Sequence, residues 1–257
     1  MSPISTTTLE AVGGSALVEM GLTVAFATVR GPVSCIRRSD ERPDRAVLDV
    51  SLYSAPFAPA GDRRVVNANT DRRSLELSNQ LAKALEATVH LNLFPKSRIQ
   101  IGVVILADDG GRLPAAINAA SLALVDVGIP VKDILCACSA GFAGGSTGGN
   151  SDMTLIDLNR QEESSYAGQN AVCLPCAMLP QRGTIVLAQA EARVPDFETL
   201  DRVLEAAMDG CRAVFEVMQA AIRERATLLL GMRSGQPGTK VVSSIDGNIV
   251  EDMMELR

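Results

Sequence analysis

Tryptophan is absent from this sequence, tyrosine occurs twice, and histidine once, at His90. Aromatic residues make up 3% of the chain and hydrophobic residues 47%, so the core has to be built from Ala, Val, Leu, Ile and Met. At 257 residues the chain is long enough to bury a sizeable one. A single histidine argues against Ser-His-Asp or Cys-His catalysis, in which an imidazole must stand beside the nucleophile. Val89-His90-Leu91 reads instead as a packing position at an apolar helix end. Excess positive charge is lacking too. With a net charge of −6, any contact to nucleic acid has to come from a local cluster of Lys and Arg. No apolar run reaches bilayer-spanning length, and no charged-then-apolar leader opens the sequence. Those absences predict a soluble intracellular protein without membrane attachment, its six cysteines reduced. Cys173-Leu174-Pro175-Cys176 has CxxC spacing, but a zinc site needs two further ligands and the sequence offers a lone histidine. These cysteines are read as structural thiols, and neither metal nor cofactor is expected.

What is present is a succession of periodic segments. SALVEMGLTVAFATVRGP reads as two strands around Gly21, stopped by Gly31-Pro32. In AVLDVSLYSA, Leu48, Val50 and Leu52 alternate with Asp49 and Ser51, the pattern of a half-buried strand. DRRSLELSNQLAKALEATVHL places Leu77, Leu81, Ala84, Leu85 and Thr88 on one helical face. RIQIGVVIL is a strand with Ile99, Ile101, Val103 and Ile105 on one side. DDGGRLPAAINAASLALVDVG is a turn and a helix, with Pro114 suited to the first turn and Gly128 to the C-terminal cap. ILCACSAGF, MTLIDL and GTIVLAQAEARV read as further strands, and the Gly-rich GFAGGSTGGNSD as a surface loop, since no Lys-Ser/Thr follows it. A last helix runs from Asp196 to about Leu230, with Leu200, Val203, Leu204, Ala207, Cys211, Phe215, Met218 and Ile222 in one stripe. The order predicts a single α+β domain with helices packed on mixed sheets.

GDRRVVNANTDRR holds the best basic cluster: Arg63, Arg64, Arg72 and Arg73. A solvated loop running into the first turn of a helix is one reading. Arginines at a helix start oppose the macrodipole, however, and that misfit favours an external anion. Arg37-Arg38 lies among Asp40, Glu41 and Asp44 and reads as a neutralised, solvated connection. Glu162-Glu163 is either a surface pair on a helix or turn, or part of an acid/base site.

Taken in order, GGSALVEMGLTVAFATVRGP, DRRSLELS, ADDGGRLPAAINAASLALVDVGIP, CACSAGF and DLNRQEE resemble the RNase PH family. Within it, they are similar to the RNA exosome ring subunit whose archaeal equivalent carries the phosphorolytic site. The Arg-x-Asp-Gly-Arg stretch that precedes the first strands in that family is missing from this sequence. The resemblance implies an RNase PH domain (ribosomal protein S5 domain 2-like) over residues 12–230, with a loose arm at 1–11 and an extension at 231–257.

In active members, one aspartate follows the strand ending Asp-Leu-Asn and a second, six residues on, acts as general acid. Counted from Asp157, those slots hold Glu163 and Gln169, and an amide cannot supply a titratable proton to a leaving oxygen. Where active members read Gly-Gly-Thr-Arg-Thr, this chain reads Gly110-Gly111-Arg112-Leu113-Pro114. Leu113 stands in the arginine slot, and Pro114 has no N–H to offer. The longer stretch NAVCLPCAM after Gln169 fits relaxed constraint. The resemblance therefore implies a degenerate site at Gly110, Gly111, Leu113, Glu163 and Gln169, with no catalytic residue. RNA-backbone contact is expected from Arg63, Arg64, Arg72, Arg73 and Arg112.

The function so implied is that of a non-catalytic ring subunit of the RNA exosome, acting in RNA processing and degradation in nucleus, nucleolus and cytoplasm. Its implied partners are other RNase PH-type subunits in a ring of six, S1/KH-type cap subunits, an associated hydrolytic exoribonuclease and single-stranded RNA. An active phosphate-dependent 3′-to-5′ exoribonuclease, with Glu163 as acid, is the alternative. A small-molecule binding protein that shares the fold is a third reading.

Overall fold

The structure, a computed structural model, describes residues 13–35, 41–58, 72–143, 153–166, 172–190 and 196–233. The chain divides into two compact units, Met1–Met218 and Gln219–Arg257. In the second, the described residues are helical, the final stretch of a helix that ends at Arg233.

The first unit opens with β1 (Gly14–Met20) and β2 (Thr23–Ser34), an antiparallel hairpin turning at Gly21, whose φ of 57° suits glycine. β2 does not stop at Gly31-Pro32 as its sequence suggests. The pairing with β4 (Ser97–Ala107) shifts register between Arg30 and Val33, so the Gly-Pro pair sits in a bulge and the strand resumes beyond it. β3 (Val47–Ser54) lies parallel to β4, which gives a mixed sheet of order β1-β2-β4-β3. Ile99, Ile101, Val103 and Ile105 of β4 are buried as their alternation requires. On β3 only Leu52 is fully buried; Leu48 and Val50 are half-covered, as befits a sheet edge.

α1 (Arg72–Thr88) buries Leu81, Ala84, Leu85 and Thr88 against this sheet. His90, just beyond it, is exposed rather than packed. The chain there leaves the helix for a 3-10 turn at Leu91–Leu93, and the His90 side chain points to solvent.

α2 (Arg112–Val127) packs on both sheets. Every residue from Leu113 to Leu124 is buried, including Ala115, Ala116, Ala119, Ala120 and Ala123, whose small side chains let backbones approach. Gly111 and Gly128 bracket it, both left-handed, and the Gly128 N–H donates to the carbonyls of Leu124 and Val125.

The second sheet is antiparallel, of order β6-β5-β7-β8, from β5 (Cys136–Ala143), β6 (Met153–Ile156), β7 (Val172–Leu179) and β8 (Thr184–Ala188). A short helix, α3 (Arg160–Tyr166), connects β6 towards β7. α4 (Phe197–Arg233) covers this sheet within the first unit through Val203, Ala207, Cys211, Val214 and Met218.

β5 outruns β6, which pairs only with Ala140 to Ala143. The backbone groups that face away from β7 upstream of that point need other partners. α2 supplies them. Asn118, wholly buried, donates from Nδ2 to the Ala137 carbonyl (2.9 Å) and accepts the Ala137 N–H on Oδ1 (2.7 Å). One turn on, Ser121 Oγ accepts the Leu135 N–H (3.1 Å). Asp157 completes the row, its N–H donating to the Ser139 carbonyl at 2.7 Å.

Candidate functional site

A groove of about 750 Å³ opens where the start of α1, the start of α2, α3 and the second sheet meet. Arg72, Arg73, Glu76 and Gln80 come from α1; Gly111, Arg112, Leu113 and Pro114 from the turn into α2. Ser139 of β5, Glu163 of α3, and Cys173 and Pro175 of β7 form the other walls. Gln189, just after β8, bridges to α1 by accepting a hydrogen bond from Gln80 Nε2 at 2.6 Å. Three arginines face two glutamates in this lining, so the groove is mildly cationic on a chain whose net charge is −6. Arg72 is highly exposed and bonded to Glu76 one helical turn on (3.0 Å), a surface pair worth a few tenths of a kcal/mol, about 0.3–0.5. Arg112 is held more firmly. Its Nε lies 3.1 Å from Oδ1 of the buried Asp108, so part of its charge is already answered.

The turn into α2 is fixed from several sides. Thr23 Oγ1 donates to the Gly110 carbonyl (2.7 Å) and accepts the Asp109 N–H (3.0 Å). Gly110, at φ 111°, presses on the loop after β6: a Cβ there would lie 2.8 Å from the Leu158 carbonyl oxygen and 2.9 Å from the Arg160 nitrogen. The Arg160 N–H in turn bonds to the Asp109 carbonyl. These contacts hold α3 beside the N-terminus of α2.

The two glutamates of this segment have separate structural tasks. Glu162 Oε2 accepts the Asn159 N–H (2.8 Å), while Asn159 Oδ1 accepts the Glu162 N–H (2.9 Å), a reciprocal capping box on α3. Glu163 reaches the neighbouring helix, and its Oε1 accepts the Gly111 N–H at 3.1 Å. Asp157, left-handed at φ 60°, has its carboxyl raised above the ordinary range by partial burial at the turn and then by the negative Glu162.

Set beside known proteins, residues 3–130 match the 3′ exoribonuclease family, domain 1. The chain is 40% identical over 223 residues to the human protein named Exosome complex component RRP41, across 85% of each chain. The Thermococcus kodakarensis protein named Exosome complex component Rrp41 is 36% identical over 217 residues, covering 84% of this chain and 81% of its own. The chain belongs to the RNase PH family of 3′ exoribonucleases. Solved structures agree on the fold. Rice (Oryza sativa) Rrp46 superposes with a TM-score of 0.68 at 22% identity, over 86% of this chain and 94% of its own. A chain of the Archaeoglobus fulgidus exosome with RNA bound to the active site gives 0.64 at 23%, over 83% and 86%.

The RNase PH fold brings together residues that the sequence places far apart. Arg72, Arg73, Gly111, Arg112, Leu113 and Glu163 all line the one groove, and Gly110 supports it from the adjoining turn. Arg63, Arg64 and Gln169 lie outside the described residues, as does the Gly-rich loop from 144 to 152. Sequence reading missed Cys173 and Pro175 because no strand is assigned over β7, and Ser139 and Gln189 because nothing local shows that β5 and the end of β8 face this groove. Pro175 discourages that assignment for a strand between two others. Here it is tolerated because β8 ends at Ala188, opposite Cys176, so the missing N–H falls where the ladder runs out. The Asn-x-x-Glu spacing of Asn159 and Glu162 was the available signal for α3.

The same strand disposes of the CxxC pattern. Residues three apart on a strand point to opposite faces. Cys173 is half-buried at the groove, whereas Cys176 is buried on the other side, opposite Cys138 and near Cys211 of α4. Among the described residues no cluster suited to a metal is present. Burial, assisted by Asp133 and Asp157 respectively, pushes the Cys136 and Cys138 thiols up to about 12. Interaction with Cys176, followed by burial, holds Cys211 high as well. Thiolate is the reactive form, so these thiols are inert while the fold persists. A chromogenic disulfide reagent should titrate Cys35 and Cys173 in the native protein and all six cysteines only in denaturant. Fast native reaction of Cys138 or Cys176 would contradict the packing described.

Proposed function

We propose that this RNase PH-family chain is a non-catalytic core subunit of an RNA exosome ring. It assembles with other RNase PH-type subunits into a ring of six and passes single-stranded RNA along the arginine-bearing side of its groove. Leu113 carries this reading: where active members place an arginine, this chain has a leucine that is 5% exposed, followed by a proline without an N–H. Arg112, beside it, is already paired with Asp108. Gln169 in the general-acid slot supports the same conclusion from sequence. The arginines at the start of α1 remain suited to phosphates of an RNA backbone, which they meet without reading bases. The human and archaeal relatives bear the name of exosome components, and that supports ring assembly. S1/KH-type caps and a hydrolytic nuclease then complete the particle, in nucleus, nucleolus and cytoplasm.

The test is to reconstitute the chain with RNase PH-type partner subunits and incubate the ring with 3′-labelled RNA, phosphate and magnesium. The expected result is co-elution as a ring and no release of nucleoside diphosphates. Release that is lost on Glu163→Gln makes the chain the phosphorolytic enzyme instead. A chain that neither enters a ring nor binds RNA is a different protein on the same fold.

A further inference from the structure

Cys173 and Ser139 stand together on one wall of the groove, and neither has a part in the function proposed above. β5 and β7 are antiparallel, with Ser139 opposite Pro175 and Gly141 opposite Cys173. Paired residues share a face of the sheet, as do residues two apart on a strand. Ser139, Gly141, Cys173 and Pro175 are therefore all on the groove side. Gly141 adds no side chain, which leaves Cys173 and Ser139 as diagonal neighbours. Cys173 is half-buried and outside any disulfide, whereas Cys136, Cys138, Cys176 and Cys211 are buried. Ser139 is 1% exposed, and its Oγ has no hydrogen-bond partner. A buried hydroxyl without a partner is uncommon, because it has lost its water and gained nothing in return. A polar ligand attached at Cys173 supplies the missing bond. The lining decides the charge of that ligand, since Arg72, Arg73 and Arg112 face only Glu76 and Glu163.

We propose that Cys173 is a site of reversible S-thiolation by an anionic peptide thiol of the glutathione class, whose amide groups pair with Ser139 Oγ. The co-reactant is oxidised glutathione. Cys173 Sγ, as thiolate, attacks one sulfur of that disulfide, and the new S–S bond forms as the old one breaks. The departing glutathione thiolate takes up the proton that Cys173 released. Cys173 is thereby oxidised and the departing half reduced, and a free thiol reverses the step. Each glutathione carries more carboxylates than ammonium groups, so the arginine-rich lining attracts it. Neither RNA nor ring assembly enters this chemistry.

The full chain is treated separately with oxidised glutathione, neutral hydroxyethyl disulfide and cationic cystamine. Adducts are located by peptide mass mapping, and each rate is divided by that reagent's rate with the same thiol in the unfolded chain. Cys35, half-buried outside the groove, is the internal control. After this correction oxidised glutathione should modify Cys173 severalfold faster than cystamine does. Cys35 should show no such order, and raising the salt concentration should level the difference at Cys173. Arg72→Gln with Arg73→Gln should abolish the preference; both side chains are exposed at a helix start, where losing positive charge does not weaken the helix. Ser139→Ala gives up no existing hydrogen bond and so leaves the protein folded. It should lower the equilibrium constant for the glutathione adduct severalfold, and that for the hydroxyethyl adduct, which has no amide, by less. No native adduct at Cys173, an order of reagents that matches Cys35, a preference that survives loss of both arginines, or a glutathione adduct indifferent to Ser139 overturns the proposal. The ring-subunit reading stands or falls separately, on co-elution and diphosphate release.

Discussion

Gly110→Ala should be among the most destabilising single-methyl additions in this protein, lowering stability by about 3 kcal/mol or more. Two effects add. The backbone at φ 111° is a conformation that L side chains rarely adopt. In addition, the new Cβ would stand 2.8 Å from the Leu158 oxygen, 2.9 Å from the Arg160 nitrogen and 2.9 Å from the Asn159 carbonyl carbon. All three are backbone atoms and cannot rotate away. Relief requires the loop carrying α3 to move off the turn, which also takes Glu163 from Gly111. Gly21→Ala is the matched control: its φ of 57° is also positive, yet nothing lies within 4 Å of the added methyl. It should cost only the conformational part, about 1–2 kcal/mol. Urea midpoints of the two variants decide the point. Equal losses would mean that contact between Gly110 and the Leu158–Arg160 loop contributes nothing.

Asn118→Ala should lose roughly 2–5 kcal/mol, far above a typical surface substitution. Its side chain makes two hydrogen bonds to a single backbone residue, Ala137, on the side of β5 that β6 does not reach. Truncation leaves a buried N–H and a buried C=O unpaired at once, and the side chain is too enclosed for water to enter easily. Asn118→Asp should be worse at neutral pH, since it loses the donor to the Ala137 carbonyl and buries a charge beside it. Ser121→Ala, which removes only the acceptor for the Leu135 N–H, should cost less, about 1–2 kcal/mol. An alanine variant at 118 that unfolds with an unchanged midpoint would show that α2 is joined to the second sheet by apolar packing alone.

How much of this was legible beforehand differs from element to element. β4 and α1 were plain, because Ile99, Ile101, Val103 and Ile105 keep a period of two, and Leu81, Ala84, Leu85 and Thr88 keep a helical one. α2 was legible through its brackets, the Gly-Gly turn and Gly128, although periodicity did not show that it is buried on all sides. Arg72, Arg73, Gly111, Arg112 and Glu163 were singled out by type and by resemblance, and they line one groove, whereas Arg63 and Arg64 lie outside the described residues. Sequence by itself therefore determined the family and the α+β class.

Tertiary structure alone decided the rest, since each remaining point depends on which backbone groups lack a partner. That Gly31-Pro32 is passed in a bulge, and that Pro175 sits in a strand, depends on where neighbouring strands end. Asn118 looks like one polar residue in an apolar helix until β5 is seen to outrun β6. Glu163 is separated from Gly111 by 52 residues, and no local pattern says that its carboxylate closes that helix end. Periodicity records which face of an element is buried; the destination of a hydrogen bond between distant segments is fixed only when packing brings donor and acceptor within about 3 Å.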